Sequence, residues 1–111
     1  ISTRFTHGAR IPELTAYAMS KAALDSLTAT LAKELGPRGI TVNAVGPGST
    51  NTDMNAARLA TEEGRAAIAA LSPLNRVAQP EDIADIVAFL ASDDARWVTG
   101  HWIDASGGSM L

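Results

Sequence analysis

Residues 17–48, YAMSKAALDSLTATLAKELGPRGITVNAVGPG, decide the fold class of this chain. Leucines recur within residues 17–35 at steps of three and four, which places them on one face of a predicted helix: Leu24, Leu27, Leu31 and Leu35. Gly36 and Pro37 end this helix, since glycine suits a left-handed cap and proline cannot continue a helix. Residues 40–45, ITVNAV, are short and rich in β-branched side chains, so they predict a buried strand.

The elements on either side of this stretch have shorter but regular patterns. Residues 1–3 have the character of the end of a buried strand, and residues 102–103 that of another. Alanine-rich helices are predicted over residues 54–59 and 62–71, and a further helix begins near Pro80. The first turn of that helix is acidic, which suits its positive end, and an apolar stripe follows: Ile83, Ile86, Val87 and Leu90.

Strands that alternate with helices predict a parallel α/β sheet. Residues 40–45 have no alternating polar face, so we expect an interior strand that helices cover on both sides. Only about three strands can be found in 111 residues, which is few for such a sheet. The sequence also starts without methionine, in what reads as a strand already in progress. We therefore expect a fragment of a larger domain, with a further segment before Ile1.

Composition and charge exclude several classes of function. With 46% hydrophobic and 19% charged residues, the chain has the balance of a soluble globular protein. A net charge of −3 argues against a nucleic-acid partner and an anionic membrane surface. No apolar run approaches the ~20 residues of a membrane-spanning helix. There is no cysteine, and His7 and His101 have no acidic or histidine companion at ligand spacing, so no metal site is expected.

Tyr17 and Lys21 are the first candidates for chemistry. Their spacing of four residues stacks both side chains on one face of the predicted helix, near its N-terminus. A phenol ordinarily has a pKa of ~10, and a neighbouring cation and the positive end of a helix both favour its ionised form. The pair can therefore act as a general acid/base that interconverts a carbonyl and an alcohol. The same spacing also occurs by chance on many helices, usually as an exposed polar edge.

Blocks of sequence around and beyond this pair carry a family resemblance. They are the run 17–48, TDM at 52–54, PLNRVAQPEDIA at 73–84, FLASDDARWVTG at 89–100 and IDASGG at 103–108. In this order they resemble the short-chain dehydrogenase/reductase family, and within it the 3-oxoacyl-[acyl-carrier-protein] reductase-like members. Several independent blocks in one order are more specific than any single motif, and together they cover nearly the entire chain.

The resemblance implies a Rossmann-type, doubly wound parallel sheet, of which residues 1–111 would be the C-terminal part. It implies an oxidoreductase that transfers a hydride between NAD or NADP and a carbonyl or alcohol substrate. Tyr17 would be the general acid/base and also a cofactor-binding residue, and Lys21 would hold the ribose hydroxyls of the cofactor and lower the pKa of the tyrosine. No glycine-rich phosphate-binding turn precedes Tyr17, so the N-terminal cofactor-binding half is expected outside this chain.

The loop after the buried strand is the expected cofactor contact. Ligands of α/β folds bind at the carboxyl edge of parallel strands, and the resemblance places Pro47 and Gly48 along the nicotinamide. Thr50 would then offer backbone contacts, and Thr52 a hydroxyl to the carboxamide or a phosphate. The alternative for both threonines is local hydrogen bonding within the turn.

The resemblance also implies a third catalytic group, a serine that hydrogen-bonds the substrate oxygen. Ser2 is the candidate, and Thr3 would be a conservative replacement in the same role. Both lie slightly farther from Tyr17 than the family usually shows, so Ser2 requires an insertion in the intervening loop. The other interpretation of Ser2 is a hydroxyl that only caps a strand end.

Three further polar residues are expected to have no catalytic role. Asn43 lies within the predicted buried strand, where its amide needs a buried partner, so its role is structural. Arg58 and Arg65 are expected on the solvated faces of the helices that follow the loop.

Two functions of different classes remain open. The chain is part of an active reductase, or it is a non-catalytic dinucleotide-binding or interaction protein that keeps the fold. The presence of both Tyr17 and Lys21 favours the active reductase. The unusual distance of Ser2 from Tyr17 favours the non-catalytic protein. The resemblance further implies a homo-oligomer, dimer or tetramer, in which the helix over 17–35 forms an interface through its small residues Ala22, Ala29 and Ala32. A cytoplasmic location is also expected.

Overall fold

The structure is a computed structural model that describes residues 1–8 and 11–111. These residues contain the helices α1 (Thr15–Leu35), α2 (Glu62–Ala69) and α3 (Pro80–Leu90), and the strands β1 (Ala44–Pro47) and β2 (Trp102–Ala105). Short 3₁₀ helices lie at Arg4–Thr6, Pro12–Leu14, Gly36–Arg38, Asp53–Asn55 and Asp93–Ala95. Within these described ranges no helix is both long enough and apolar enough to cross a membrane.

The strand β1 is buried and hydrogen-bonded on both sides. It pairs in parallel with β2, with Val45 opposite Ile103. On its other side, the Ser2 amide donates to the Val45 carbonyl at 2.7 Å. Between β1 and β2 the chain passes through α2 and α3, which is the helical crossover that parallel strands need. Within the described residues the sheet contains β1 and β2 alone, and β1 is buried as the sequence predicts, with a backbone neighbour on each side.

The strand begins at Ala44 rather than at residue 40, because side-chain hydrogen bonds of Thr99 and Asn43 interrupt the regular ladder before it. The Asn43 side-chain amide donates to the Val98 carbonyl at 2.8 Å, and its oxygen accepts from the His101 amide at 3.2 Å. Both ends of this half-buried side chain thus tie β1 to the segment before β2. The structural role predicted for Asn43 is confirmed.

The end of α1 differs from the prediction in the position of its left-handed residue. Gly36 is right-handed, with φ −51°, and the chain continues into the 3₁₀ helix Gly36–Arg38. Gly39 is the left-handed residue, with φ +73°. Pro37 lies in the first turn of the 3₁₀ helix, where its missing amide proton costs no hydrogen bond. A short 3₁₀ turn therefore lies between α1 and its left-handed cap at Gly39. The Gly36-Pro37 pair alone did not predict this turn.

The buried face of α1 is formed by small residues rather than by the leucine stripe. Thr28 and Ala32 are its fully buried residues, and the Thr28 hydroxyl is satisfied by the Leu24 carbonyl at 2.9 Å. Leu27 is 53% exposed, and the other stripe residues are half-buried: Leu24, Leu31 and Leu35. Small side chains let the helix backbone approach its neighbours closely, so the leucines flank the contact.

The helix predicted over residues 54–59 is wrong. The segment forms only the 3₁₀ turn Asp53–Asn55, followed by further turns. The cause is the side chain of Asn55, which donates to the Thr50 carbonyl at 2.8 Å and fixes the chain in a turn. A regular helix starts only after Thr61, whose hydroxyl caps α2.

The helix α3 starts at Pro80, as predicted, with a capping box formed by Gln79 and Asp82. The Arg76 guanidinium donates to both carboxylate oxygens of Asp82 at 2.6 and 2.7 Å, and the Gln79 amide donates to the same carboxylate at 2.7 Å. The hydrogen bond from Arg76, and then that from the Gln79 amide, lower the pKa of Asp82 to about 2. This arrangement fixes the start of α3 next to the loop that follows β1.

Candidate active site

A cavity of about 880 Å³ opens at the carboxyl end of β1, next to the first turns of α1. Its lining includes every residue that the sequence predicts for the site: Ser2, Tyr17, Lys21, Pro47, Gly48, Thr50 and Thr52. Thr3, the alternative to Ser2, lines the cavity as well. The structure therefore brings the predicted residues together from separate segments, at the edge where α/β folds bind ligands.

Tyr17 and Lys21 lie one turn apart on the same face of α1. The Lys21 Nζ lies 5.8 Å from the centroid of the Tyr17 ring. It donates a hydrogen bond to the Ile1 carbonyl at 2.9 Å. The first turns of α1 thus carry a phenol and an ammonium side by side, and Lys21 is anchored on the segment that carries Ser2.

Ser2 and Thr3 lie on an extended segment beside β1, where Thr3 has φ −158° and ψ 152°. Ser2 is 2% exposed, and its hydroxyl oxygen has no hydrogen-bond partner among the residues that the structure describes. A buried hydroxyl without a partner costs about 1–3 kcal/mol. The strand-capping interpretation would give this hydroxyl a partner within the chain, so the structure does not support it.

The loop after β1 approaches the C-terminal tail closely at Gly48. A Cβ added there would lie 2.7 Å from the Ser106 carbonyl oxygen and 2.9 Å from the Ser106 Cα, so only glycine fits. The Gly48 amide also donates to the Ala105 carbonyl at 3.3 Å. The Pro47–Gly48 turn is thereby held against the end of β2, at the cavity wall.

The two threonines of this loop have different roles. Thr50 is buried, and its hydroxyl donates to the Gly48 carbonyl at 3.2 Å, which is the local turn bond that the sequence left as the alternative. Thr52 is exposed and precedes the 3₁₀ turn without a capping hydrogen bond from its side chain. Thr50 therefore shapes the loop, whereas the Thr52 hydroxyl is not used to cap the turn.

Several apolar residues of the cavity were not predicted from the sequence. They come from the loop before α1, from the loop after β1 and from α3: Phe5, Ile11, Leu14, Met54 and Ile83. The available signal was an apolar residue inside an otherwise polar loop, and Met54 is the clearest case because polar residues surround it in the sequence. These side chains give the cavity an apolar wall.

Arg58 is a correction to the sequence analysis. It is exposed, as predicted, but it lines the cavity instead of a helix face, because residues 54–59 form turns. Its charge also reaches the neighbouring Arg4: burial first, and then the positive charge of Arg58, lower the pKa of Arg4 from its ordinary value. Arg65 is exposed on α2, as predicted.

No group of metal-ligand side chains is found in the described part of the chain. His7 nevertheless has an acidic neighbour that its sequence spacing did not reveal, since its Nδ1 lies 3.8 Å from Asp25 Oδ2. Its ring also stacks on Trp102, with 4.2 Å between the ring centroids. The fold brings these three residues together from the first loop, α1 and β2.

Known proteins match this chain over nearly all of its length. The profile of the enoyl-(acyl carrier protein) reductase family, which is a short-chain dehydrogenase/reductase profile, matches residues 1–110. The chain belongs to the short-chain dehydrogenase/reductase family. The family resemblance seen in the sequence is thereby confirmed.

Two curated relatives show the range of this family. The 3-oxoacyl-[acyl-carrier-protein] reductase of Pseudomonas aeruginosa is 49% identical over 97 residues, which are 87% of this chain and 38% of the relative. The 3beta-hydroxysteroid dehydrogenase 1 of Eggerthella lenta is 48% identical over 100 residues, which are 90% of this chain and 38% of the relative. This short-chain dehydrogenase/reductase chain thus spans about two fifths of the length of these relatives.

A solved structure gives the fold. The angucycline C-6 ketoreductase LanV, crystallised with bound NADP, superposes with a TM-score of 0.86 at 46% identity, over 99% of this chain and 42% of that one. The predicted α/β, Rossmann-type class is confirmed. The NADP in LanV also belongs to the cofactor class, NAD or NADP, that the resemblance implies for the family.

Proposed function

We propose that residues 1–111 form the catalytic, C-terminal portion of an NAD(P)-dependent reductase that interconverts a carbonyl and an alcohol. The observation that carries this proposal is the cavity in which Tyr17, Lys21 and the buried hydroxyl of Ser2 meet. A general acid/base, a cation beside it and a hydroxyl on an adjacent segment are the groups that such a reaction needs.

Each of these residues has a proposed role. Tyr17 donates a proton to the carbonyl oxygen of the substrate, or removes it from the alcohol in the reverse direction. Lys21 carries the positive charge that favours the ionised phenol, and its ammonium binds ribose hydroxyls. Ser2, with Thr3 as the alternative, donates a hydrogen bond to the substrate oxygen and orients the carbonyl towards Tyr17.

The residues at the carboxyl end of β1 fit the nicotinamide end of NAD or NADP. The Pro47–Gly48 turn is held against the end of β2 at the cavity wall by a close approach that only glycine permits. The Thr52 hydroxyl makes no capping bond, so it can donate to a carboxamide or phosphate, whereas Thr50 contributes through its backbone. The bound cofactor supplies the hydride, and these residues orient its reactive face towards the substrate.

We also propose that the phosphate-binding and adenosine-binding portion lies outside these residues, N-terminal to Ile1. Two observations support this domain arrangement. The chain covers 38–42% of its relatives. Its radius of gyration is 15.1 Å, compared with about 13 Å for a compact domain of ~100 residues. We call these residues together with that N-terminal portion the full-length protein.

The proposed reaction is tested by following the hydride. The full-length protein is incubated with NADH or NADPH deuterated at C4, together with a 3-oxoacyl thioester, a 3-ketosteroid and an angucycline, the substrate classes of its relatives. We expect deuterium on the carbinol carbon of at least one product. Cofactor binding without transfer to any of these ketones would contradict the enzyme and favour the non-catalytic dinucleotide-binding protein instead.

We propose in addition that the full-length protein is a homo-oligomer, a dimer or tetramer, with a cytoplasmic location. The support lies on α1, whose Leu27 is 53% exposed and whose Ala22 and Ala29 are exposed small residues. Ala32, also predicted for the interface, is buried within the chain itself, so we withdraw it.

The oligomer is checked by sedimentation of the full-length protein at micromolar concentration. We expect a mass above that of a monomer, and Leu27→Glu should lower it, because a carboxylate would be buried at the interface. Leu74→Glu is the matched control, since Leu74 is also an exposed leucine but lies outside α1. A monomeric wild type would exclude the proposal.

A further inference from the structure

We propose that Arg4 is a positioning residue, which fastens the segment bearing Ser2 and Thr3 to the C-terminal tail and so holds their hydroxyls in place at the site. The inference rests on the proposed reductase function. Arg4 acts through its neighbours and does not itself contact the reacting atoms.

The fastening consists of two hydrogen bonds across the whole length of the chain. The Arg4 Nη1 donates to the Ser109 carbonyl at 3.2 Å and to the Ser109 Oγ at 3.0 Å. Arg4 follows Thr3 directly, so its two hydrogen bonds attach the tail next to the segment that lines the cavity. Ser106 in the same tail packs against Gly48, so the tail touches both walls of the site.

A second set of contacts keeps this segment rigid. The Thr3 carbonyl accepts from the Thr6 hydroxyl at 3.0 Å, and the Arg4 carbonyl accepts from the Gly8 amide at 2.9 Å. Gly8 itself lies against Met110, since an added Cβ would be 3.2 Å from that side chain. The turn after Thr3 therefore meets the C-terminal tail at Arg4 and again at Gly8.

The energetics of Arg4 favour a positional role over a stabilising one. Arg4 is 8% exposed. Among residues 1–8 and 11–111, no carboxylate lies within 4.0 Å of its guanidinium. Burying a charge without a counter-ion costs free energy, and a hydrophobic side chain of similar volume often packs at lower cost. The contacts that remain for the guanidinium are the two hydrogen bonds from its Nη1 to Ser109 and its position over the Phe5 ring, whose centroid lies 5.1 Å from Cζ.

Arg4 and its partner Ser109 line two different cavities. Arg4 lines the large cavity, whereas Ser109 lines a second cavity of about 320 Å³ below the tail. Without the two hydrogen bonds, the segment with Ser2 and Thr3 loses its attachment to the tail and keeps its attachment to β1 through the Ser2 amide. The loop with Gly48 and Thr52 keeps its own hydrogen bonds, so cofactor contacts should change less than the position of the substrate oxygen.

The test uses Arg4→Met in the full-length protein, with Arg4→Lys and Ser109→Ala as graded variants. We expect Arg4→Met to lower kcat/KM for the ketone by on the order of 10²-fold, because misplacing a reacting group by ~1 Å has this effect, while cofactor Kd changes little. Lys should restore part of the activity, and Ser109→Ala, which keeps the carbonyl acceptor, should lose less. Arg96→Met is the control, since exposed Arg96 donates only to the Asp93 carbonyl at 2.9 Å.

Hydrogen exchange of the amides of residues 3–8 separates this proposal from the proposed reaction. We expect faster exchange at these amides in Arg4→Met than in Arg96→Met, whether or not the protein reduces a ketone. Faster exchange without any ketone reduction would contradict the proposed reductase function and leave the positioning role of Arg4 intact. Unchanged exchange, or an active wild type whose kcat/KM is unaltered by Arg4→Met, would overturn the positioning role. If Arg4→Met does not fold, the test rests on Ser109→Ala and Arg4→Lys, and both must have a kcat/KM below that of the wild type. A wild-type kcat/KM in both variants would overturn the positioning role.

Discussion

Tyr17→Phe in the full-length protein is expected to lower kcat by on the order of 10²–10⁴, the usual cost of losing a general acid/base. The substitution removes one hydroxyl and keeps the ring, which is half-buried at the first turns of α1. The fold and the packing around Lys21 should therefore be preserved. The measurement is steady-state ketone reduction, with cofactor affinity and melting temperature followed in the same samples.

Lys21→Met is the matched comparison, because it changes the other member of the pair. This substitution removes a cation and also the hydrogen bond from Nζ to the Ile1 carbonyl. We expect weaker cofactor binding together with slower turnover, whereas Tyr17→Phe should affect the chemical step alone. Near-normal turnover of Tyr17→Phe with a carbonyl substrate and reduced cofactor would show that Tyr17 is not the acid/base, and would favour a non-catalytic binding protein.

The parts of the fold that the sequence predicted are those that local signals determine. Pro80 and the acidic residues after it mark the start of α3, and the short run 40–45 marks a buried strand, which begins later than predicted, at Ala44. The family resemblance then placed Tyr17, Lys21 and the Pro47–Gly48 turn at one site, and one cavity does contain all of them. Such signals depend on neighbouring residues in the sequence, so they can be interpreted without knowledge of the rest of the molecule.

The parts that the sequence missed depend on contacts between distant segments. The helix expected over residues 54–59 is replaced by turns because Asn55 bonds to Thr50, and the alanine-rich composition carries no trace of that bond. The role of Ser109 depends on Arg4, which lies 105 positions away. Side-chain partners at such separations cannot be found from periodicity, so the cavity wall and its supports required the structure.

The isolated 111-residue chain is expected to show no NAD(P)-dependent ketone reduction above the buffer blank, although it contains every proposed catalytic group. Binding energy from remote parts of a substrate or cofactor is used at the reacting centre, and the chain has no glycine-rich turn before Tyr17 to bind phosphates. Its own packing is also incomplete. The 21 residues of α1 include two fully buried ones and the 11 residues of α3 include none, so both helices lack part of their covering surface.

The measurement compares the purified chain with the full-length protein at equal concentration, using the ketone and cofactor on which the full-length protein is active. Full-length Tyr17→Phe gives the level to expect when the cofactor binds but the acid/base is absent. The isolated chain should fall below that level, because it loses cofactor binding as well as the ordered site. Adding the N-terminal portion as a separate polypeptide should restore part of the activity if the two portions associate. Sustained turnover by the 111 residues alone would show that the adenosine-binding portion is dispensable, and would contradict the domain arrangement proposed here.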